Sequence, residues 1–135
     1  MAYIPYISLL DNSDGVDRIR ATTAWFGRGE RNDFVLINFD NKSLRCAQII
    51  RLFTILDDDD EYPSAFIRLH HPMTRRKATR LITCKEGDEY RFIPLSSIIR
   101  SVHVHPPDVN YEDRYIINDT IDADTYLRLD TIKSN

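Results

Sequence analysis

Apolar and polar side chains alternate along this chain in short runs, and turn residues separate one run from the next. Alternation over four to eight residues is typical of a half-buried β-strand, and a succession of such runs indicates an all-β sandwich or barrel. The strand-like runs cover residues 18–25, 33–39, 44–56, 65–70, 80–84, 90–95, 98–105 and 115–118. The pattern therefore predicts an all-β domain.

Three of these runs also predict where their strands lie. Residues 33–39 are apolar on both faces, which suits a central strand. Residues 44–56 are long and rich in isoleucine, which favours a long, bent strand. Pro94 cannot donate to a sheet ladder, so the strand over 90–95 is expected to end at a sheet edge or a crossing point.

Helix is expected only near the C-terminus. Residues 120–127 predict one or two helical turns, with Asp119 or Thr120 as the N-cap. Asp122 and Asp124 then lie near the positive end of the helix dipole.

The length of 135 residues fits one domain, and 42% hydrophobic residues suffice for one core. We expect an N-terminal arm over 1–17, the domain over 18–129 and a tail over 130–135. The N-terminus lacks the pattern of a signal peptide and no window is apolar enough to span a membrane, so an intracellular monomer, nuclear or cytoplasmic, is expected. The net charge of −3 is too near neutral to indicate nucleic-acid binding.

Cysteine and histidine give no strong signal for chemistry. Cys46 and Cys84 lie in apolar runs and are predicted to be reduced core residues, with a bridge between them as the alternative. The pairs His70-His71 and His103-x-His105 match no closed zinc motif, so no metal or cofactor is expected. Without a nucleophile motif or a phosphate-cradling loop the chain is predicted not to be an enzyme; a small hydrolase or metal enzyme is the remote alternative.

Charge is unevenly distributed. A basic loop over 71–78 follows a charged, proline-closed loop over 57–63, and the segment from Arg68 to Arg80 holds five basic residues and no acid. Exposed Lys and Arg of this kind can release counterions from a nucleic acid. The alternative is intramolecular pairing of the basic loop with the acidic run 57–61.

Aromatic residues near strand ends form the other candidate site. Two or three of Trp25, Phe26, Tyr62, Tyr90 and Tyr111 could cage a methylated ammonium group, although most aromatics in a β domain belong to its core or rim. The basic loop and nearby aromatics make one candidate contact surface. Its predicted binding residues are Arg68, His70, Arg75, Arg76, Lys77, Arg80, Trp25 and Tyr90.

Three strings carry a family resemblance: CAQIIRLFTILDDDDEYPSAFIRL at 46–69, FIPLSSIIRSVHVHPP at 92–107 and YIINDTIDADTYLRL at 115–129. Over about residues 20–129 the order of these strings and their residue patterns resemble the C-terminal domain of transposase-related proteins from fungal transposons of the Plavaka and Kyakuja–Dileera–Zisupton groups. The layout is also similar to the bromo-adjacent homology (BAH) domain. That family has a distorted β-barrel and serves as a protein-interaction module on chromatin.

The resemblance implies a small distorted β-barrel and a non-catalytic function. The implied partner is a protein, either a histone tail or a transposase-associated protein. The alternative is a nucleic-acid-binding domain that contacts DNA or RNA phosphates through the basic loop. The signature that follows the second strand in the BAH family is replaced here by Arg68-Leu69-His70-His71-Pro72, so no ligand residue is carried over.

Overall fold

The computed structural model describes residues 2–22, 31–39, 43–107 and 114–132. Strands account for most of these residues and all paired strands are antiparallel, which confirms the all-β prediction. The strands are β1 (Ala2–Ile7), β2 (Asp14–Ile19), β3 (Ala21–Thr22), β4 (Arg31–Asn32), β5 (Phe34–Phe39), β6 (Ser43–Asp57), β7 (Asp60–Leu69), β8 (Thr74–Arg75), β9 (Ile82–Lys85), β10 (Glu89–Pro94), β11 (Ile98–His105) and β12 (Arg114–Asn118). One helix, α1 (Ala123–Leu129), follows them, and Leu95–Ser97 form a 3₁₀ turn.

Eight strands form the main sheet in the order β10-β7-β6-β5-β11-β12-β9-β8. β5 and β6 lie inside it and β10 lies at one edge, as the apolar pattern and Pro94 predict. β6 has a bulge between Ile49 and Arg51, which explains how so long a strand bends. The sheet does not close among the described residues, so these residues confirm the all-β class and do not confirm a barrel.

The central strands are buried on both faces. Val35, Ile37 and Ala47 point into one core cluster, while Leu36 and Cys46 point into a second. The second cluster also contains buried residues of β9, β11 and β12, together with Leu129 of α1. Because β12 and β9 cover a face of strands in their own sheet, the sheet must curl back on itself.

The N-terminus forms a hairpin where the sequence pattern predicted only an arm. β1 pairs with β2 from Ala2↔Ile19 to Ile7↔Asp14. Ile4 and Ile19 are buried in the first core cluster beside Val35. These residues therefore contribute to the core, while the domain boundaries stay a prediction.

Two local predictions near the turns and the helix need correction. The helix begins later than expected: Asp122 is its N-cap and accepts a hydrogen bond from the Thr125 amide at 2.7 Å. The charged loop predicted over 57–63 is a two-residue turn, since β6 runs to Asp57 and β7 starts at Asp60. Cross-strand pairing of β6 with β7 outweighs the turn propensity of the aspartates there.

Candidate functional site

A row of aromatic rings covers one face of the sheet near the β10 edge. Alternation along β7 buries Ala65 and Ile67 and directs Phe66 to the opposite face. Phe92 of β10 lies directly across from Phe66, and the bulge in β6 brings Phe53 to the same face. With Tyr90, these three phenylalanines define the aromatic face.

The rings of the aromatic face contact one another. Phe66 stacks on Phe92 with ring centroids 4.8 Å apart and on Tyr90 at 5.6 Å, and Phe53 meets Phe92 edge to face at 5.8 Å. Even so, Phe92 is 71% exposed and Tyr90 48%. Solvent-exposed rings in contact with one another make a hydrophobic patch of the kind that marks interaction sites.

Arg68 borders the aromatic face and is held in place by the turn between β9 and β10. Its Nε donates to the Gly87 carbonyl at 2.7 Å and its NH1 pairs with Glu86 at 2.5 Å. Its guanidinium lies 5.5 Å from the centroid of the Tyr90 ring. Position 87 must be glycine because a Cβ there would meet the backbone oxygen of Leu69.

A basic cavity lies beside β8, which is the strand at the opposite end of the sheet order from β10. It has a volume of about 460 Å³, and none of the described residues that line it is acidic. These described lining residues are Thr74, Arg75, Arg76, Lys77, Ala78, Thr79, Thr83 and Arg114. Arg114 was not predicted, because β12 brings it to the cavity from 37 residues beyond Lys77 in the chain.

Threonine hydroxyls fix Arg114 in this cavity. Its Nε donates to Thr83 Oγ1 at 2.9 Å and its NH2 to Thr74 Oγ1 at 3.1 Å. Neither its NH1 nor the Lys77 ammonium bonds to any residue that the structure describes. The cavity thus presents cationic donors that the described part of the fold does not neutralise.

Arg75 corrects one predicted binding residue. It is buried at 6% exposure, and its guanidinium donates to the carbonyls of Leu129 at 3.1 Å, Arg80 at 3.0 Å and Ile132 at 3.2 Å. Its ion pair is with Asp119 at 3.5 Å and not with the acidic run 57–61. Arg75 therefore fastens the chain after α1 to β8, and its side chain is not available as a surface contact.

The prediction for His70 also needs correction, because this side chain is fully buried beside the second core cluster. Its ring packs edge to face on Phe34 and Tyr115, and its Nδ1 lies 3.7 Å from Cys84 Sγ. No hydrogen-bond partner satisfies its Nε2 among the described residues. A buried ring of this kind cannot touch a macromolecular partner without local opening.

Both cysteines are free and buried, as predicted. The neighbouring Cys46 thiol lowers the pKa of Cys84 to about 6; burial opposes this and His70 adds to it. Cys84 and burial in turn raise the pKa of Cys46. In the part of the chain that is described, no group of three or more His, Cys, Asp or Glu side chains is arranged to hold a metal ion.

The remaining predicted residues separate into different surroundings. Tyr90 and Arg68 belong to the aromatic face, whereas Arg76 and Lys77 line the basic cavity. Arg80 follows the β8–β9 turn with a positive φ of 62° and does not line the cavity. Trp25, with Phe26 and Tyr111 of the predicted cage, lies outside the described residues. The single predicted contact surface is thus two surfaces, on strands at opposite ends of the sheet order.

A buried charged cluster was not predicted at all. Arg100 of β11 is 4% exposed and makes a bidentate pair with Asp17 at 2.7 and 2.9 Å. It also bonds Asp124 at 2.8 Å and Asp122 at 3.1 Å, and its guanidinium lies 3.7 Å from the centroid of the Tyr6 ring. This Arg100 cluster joins the N-terminal hairpin, β11 and α1.

Comparisons with family models, curated proteins and solved structures found no match to this chain. No helix among residues 2–22, 31–39, 43–107 and 114–132 is long and apolar enough to cross a membrane. The family resemblance in the three sequence strings accordingly stays a prediction.

Proposed function

We propose that this chain is a non-catalytic interaction module that binds a protein partner, and that the aromatic face is its contact surface. The observation that carries the proposal is the exposure of Phe92 and Tyr90 within a set of rings that contact one another on one face of the sheet. Aromatic residues and arginine are the side chains most enriched at interface centres. Arg68 supplies the arginine at the border of the stack.

The source of the module and its partner follow from the resemblance. We propose a domain from a transposon-derived protein, with a BAH-like distorted barrel as its finer architecture and a histone tail or a transposase-associated protein as its partner. The curled sheet with two core clusters agrees with such a barrel. A cage for methylated lysine at Tyr90 has less support, since this ring is already stacked on Phe66 and faces the Arg68 guanidinium.

The test is an array of histone-tail peptides probed with the intact chain and with the variant Tyr90→Thr/Phe92→Thr. Threonine keeps a high β-propensity, so the change removes the rings with little effect on the strand. The matched control is Tyr3→Thr/Val16→Thr, which removes two apolar residues of similar exposure from the N-terminal hairpin. We expect the control to bind peptides like the natural chain and the ring variant to lose binding by tenfold or more, about 1.4 kcal/mol.

Salt dependence separates this proposal from nucleic-acid binding. A contact through aromatic rings should change little between low and physiological salt, whereas phosphate contacts lose affinity steeply. If the ring variant binds peptide as well as the natural chain, the aromatic face is not the contact surface. If the chain binds no peptide, a histone tail is not its partner.

A further inference from the structure

β10 is an edge of the main sheet that lies open to solvent. All residues of this strand except Ile93 are exposed. β8, at the opposite end of the sheet order, is held against the chain after α1, because its buried Arg75 donates to carbonyls there. An exposed edge presents backbone N–H and C=O groups with which a further strand can pair.

Pro94 determines which backbone groups of β10 point to the open edge. It lies opposite Ser64 in the ladder with β7, and a proline has no N–H to donate across that ladder. Hydrogen-bonded and non-hydrogen-bonded pairs alternate along antiparallel strands, so Arg91 bonds to β7 while Tyr90 and Phe92 do not. The N–H and C=O groups of Tyr90 and Phe92 therefore point outwards, and they bond to no residue that the structure describes.

The charged side chains of β10 lie on the face opposite its rings. Alternation along the strand directs Glu89 and Arg91 to that face, where they pair with each other and stay about half exposed. If a second copy of β10 pairs antiparallel with Tyr90 opposite Tyr90, Glu89 of each copy lies opposite Arg91 of the other. Opposite charges in such cross-strand positions stabilise the pairing.

The two adjacent registers are less favourable for the same strand. Tyr90 opposite Phe92 of the second copy places Arg91 against Arg91, and like charges directly opposite are destabilising. Phe92 opposite Phe92 places Pro94 against Tyr90, so one hydrogen bond is lost at each end of the pair. The charges and the hydrogen-bonding groups of β10 are therefore both matched when Tyr90 lies opposite Tyr90.

We propose that β10 pairs with β10 of a second copy of this chain, antiparallel about a twofold axis, with Tyr90 opposite Tyr90. Such a contact uses the same surface on both copies, as twofold dimers do. The paired strands are short, so the dimer is weak and forms at high protein concentration. The proposal goes beyond the proposed function, because it uses the edge of β10 and not the aromatic face.

Reversal of one charge on β10 tests the pairing by sedimentation equilibrium. Arg91→Glu and Glu89→Arg each place like charges opposite each other at two symmetric positions, so each should weaken the dimer by about tenfold or more. Both side chains are exposed, so the variants should fold like the natural chain. Mixing the two variants restores opposite charges and should restore association to within about threefold of the natural chain, as should the double variant Glu89→Arg/Arg91→Glu.

The control for net charge is Lys85→Glu, which reverses an exposed charge on β9 and should leave the dimer unchanged. Amide hydrogen exchange tests the register separately. The Tyr90 and Phe92 amides should become protected as protein concentration rises, whereas the Arg91 amide, which already bonds to β7, should not change.

Peptide binding separates this proposal from the proposed function. Arg91→Glu should bind histone-tail peptides like the natural chain, because its side chain lies on the face opposite the rings. Tyr90→Thr/Phe92→Thr keeps the charges and should respond to their reversal as the natural chain does. The proposal is overturned if the natural chain stays monomeric up to about 1 mM, if the mixed variants do not associate, or if Lys85→Glu weakens the dimer as much as Arg91→Glu.

Discussion

The Arg100 cluster and the aromatic face depart from the usual placement of side chains in opposite directions. The cluster buries an arginine and two aspartates, whereas the aromatic face exposes phenylalanine and tyrosine. Each buried charge has a partner, so the cluster is explained by its own contacts. The exposed rings contact one another but leave much of their surface in water. The comparison explains the first region by its own contacts and supports the proposal that the second is a contact surface.

The largest effect should follow from breaking the Arg100 cluster. Arg100→Met removes the only guanidinium that pairs with Asp17 among the described residues, and leaves Asp124 to Arg128. Removal of one partner from a buried ion pair costs about 3–5 kcal/mol, because a buried charge is left uncompensated. Urea unfolding followed by circular dichroism measures this loss.

Two further variants control the Arg100 prediction. Arg100→Lys keeps the charge but not the bidentate geometry, and should lose less stability than Arg100→Met. Arg91→Met removes an exposed arginine, which should change stability by about 0.5 kcal/mol or less. Equal stability of Arg100→Met and Arg91→Met would contradict the structural role of the cluster.

A smaller loss of stability should distinguish Arg75 from Lys77, which both line the basic cavity. Arg75→Met leaves the buried Leu129 carbonyl without its donor and removes the bond to the Arg80 carbonyl, so we expect a loss of about 2–3 kcal/mol. Lys77→Met, which removes the same charge from an exposed position two residues later, should change the free energy of unfolding by less than about 0.5 kcal/mol. Thermal unfolding of the two variants side by side is the measurement. If Lys77→Met is the more destabilising, the cavity is held together differently from this description.

Arg75 and Lys77 also show how much of the structure could be predicted from the sequence. Alternation along β5, β6 and β11 depends on nearest neighbours in the chain, so their strands could be predicted almost residue by residue. The burial of Arg75 depends on carbonyls 54 and 57 residues away, and that of Arg100 on an aspartate 83 residues away. No local pattern contains such contacts. The N-terminal hairpin was missed because Pro5 and the polar run after Leu10 hide the alternation of β1 and β2.

The site was predicted in part for the same reason. Arg76, Lys77 and Tyr90 stand out as local composition, and the structure places them in the basic cavity and the aromatic face. Arg114 and Phe92 have no local signal, since sheet pairing alone brings them there. His70 was included as a binding residue because it lies beside the basic loop, whereas its ring is fully buried against Phe34 and Tyr115.

Low pH should remove stability that the Arg100 cluster provides, and it should leave the contacts of the aromatic face unchanged. Burial raises the pKa of Asp124, but hydrogen bonds from Arg128, the Leu9 amide and Arg100 outweigh it, and the pKa lies below its ordinary value. Asp122 behaves likewise through the Thr125 amide and Arg100. A lowered folded pKa gives stability that is fully present above the unfolded value, near 4, and is lost as the pH falls through the folded pKa. We expect urea midpoints to be flat from neutral pH to about 5 and to fall below about 4.

Asp122→Asn provides the control for the acid effect. Asparagine is also a good N-cap, so the helix start is retained while one titrating group is removed. The variant should show a shallower fall in the urea midpoint below about pH 4 than the natural chain. An equally steep fall in both proteins would remove Asp122 from the acid response.

A change in the aromatic face should cost less stability than Arg100→Met or Arg75→Met, and it tests most directly whether the two regions differ in role. Phe92 is 71% exposed, so Phe92→Thr returns little apolar surface to water, and its main loss is the ring contact with Phe66. An aromatic pair contributes about 0.5–1.5 kcal/mol beyond area, and threonine keeps the β-propensity of the position, so a loss near 1 kcal/mol is expected in urea unfolding. An exposed ring on an edge strand also promotes association between chains, so the variant should be the more soluble in concentrated solution. A loss above about 3 kcal/mol, the size expected for a core phenylalanine, would show that Phe92 belongs to the packing of the fold and would remove the main support for a contact surface there.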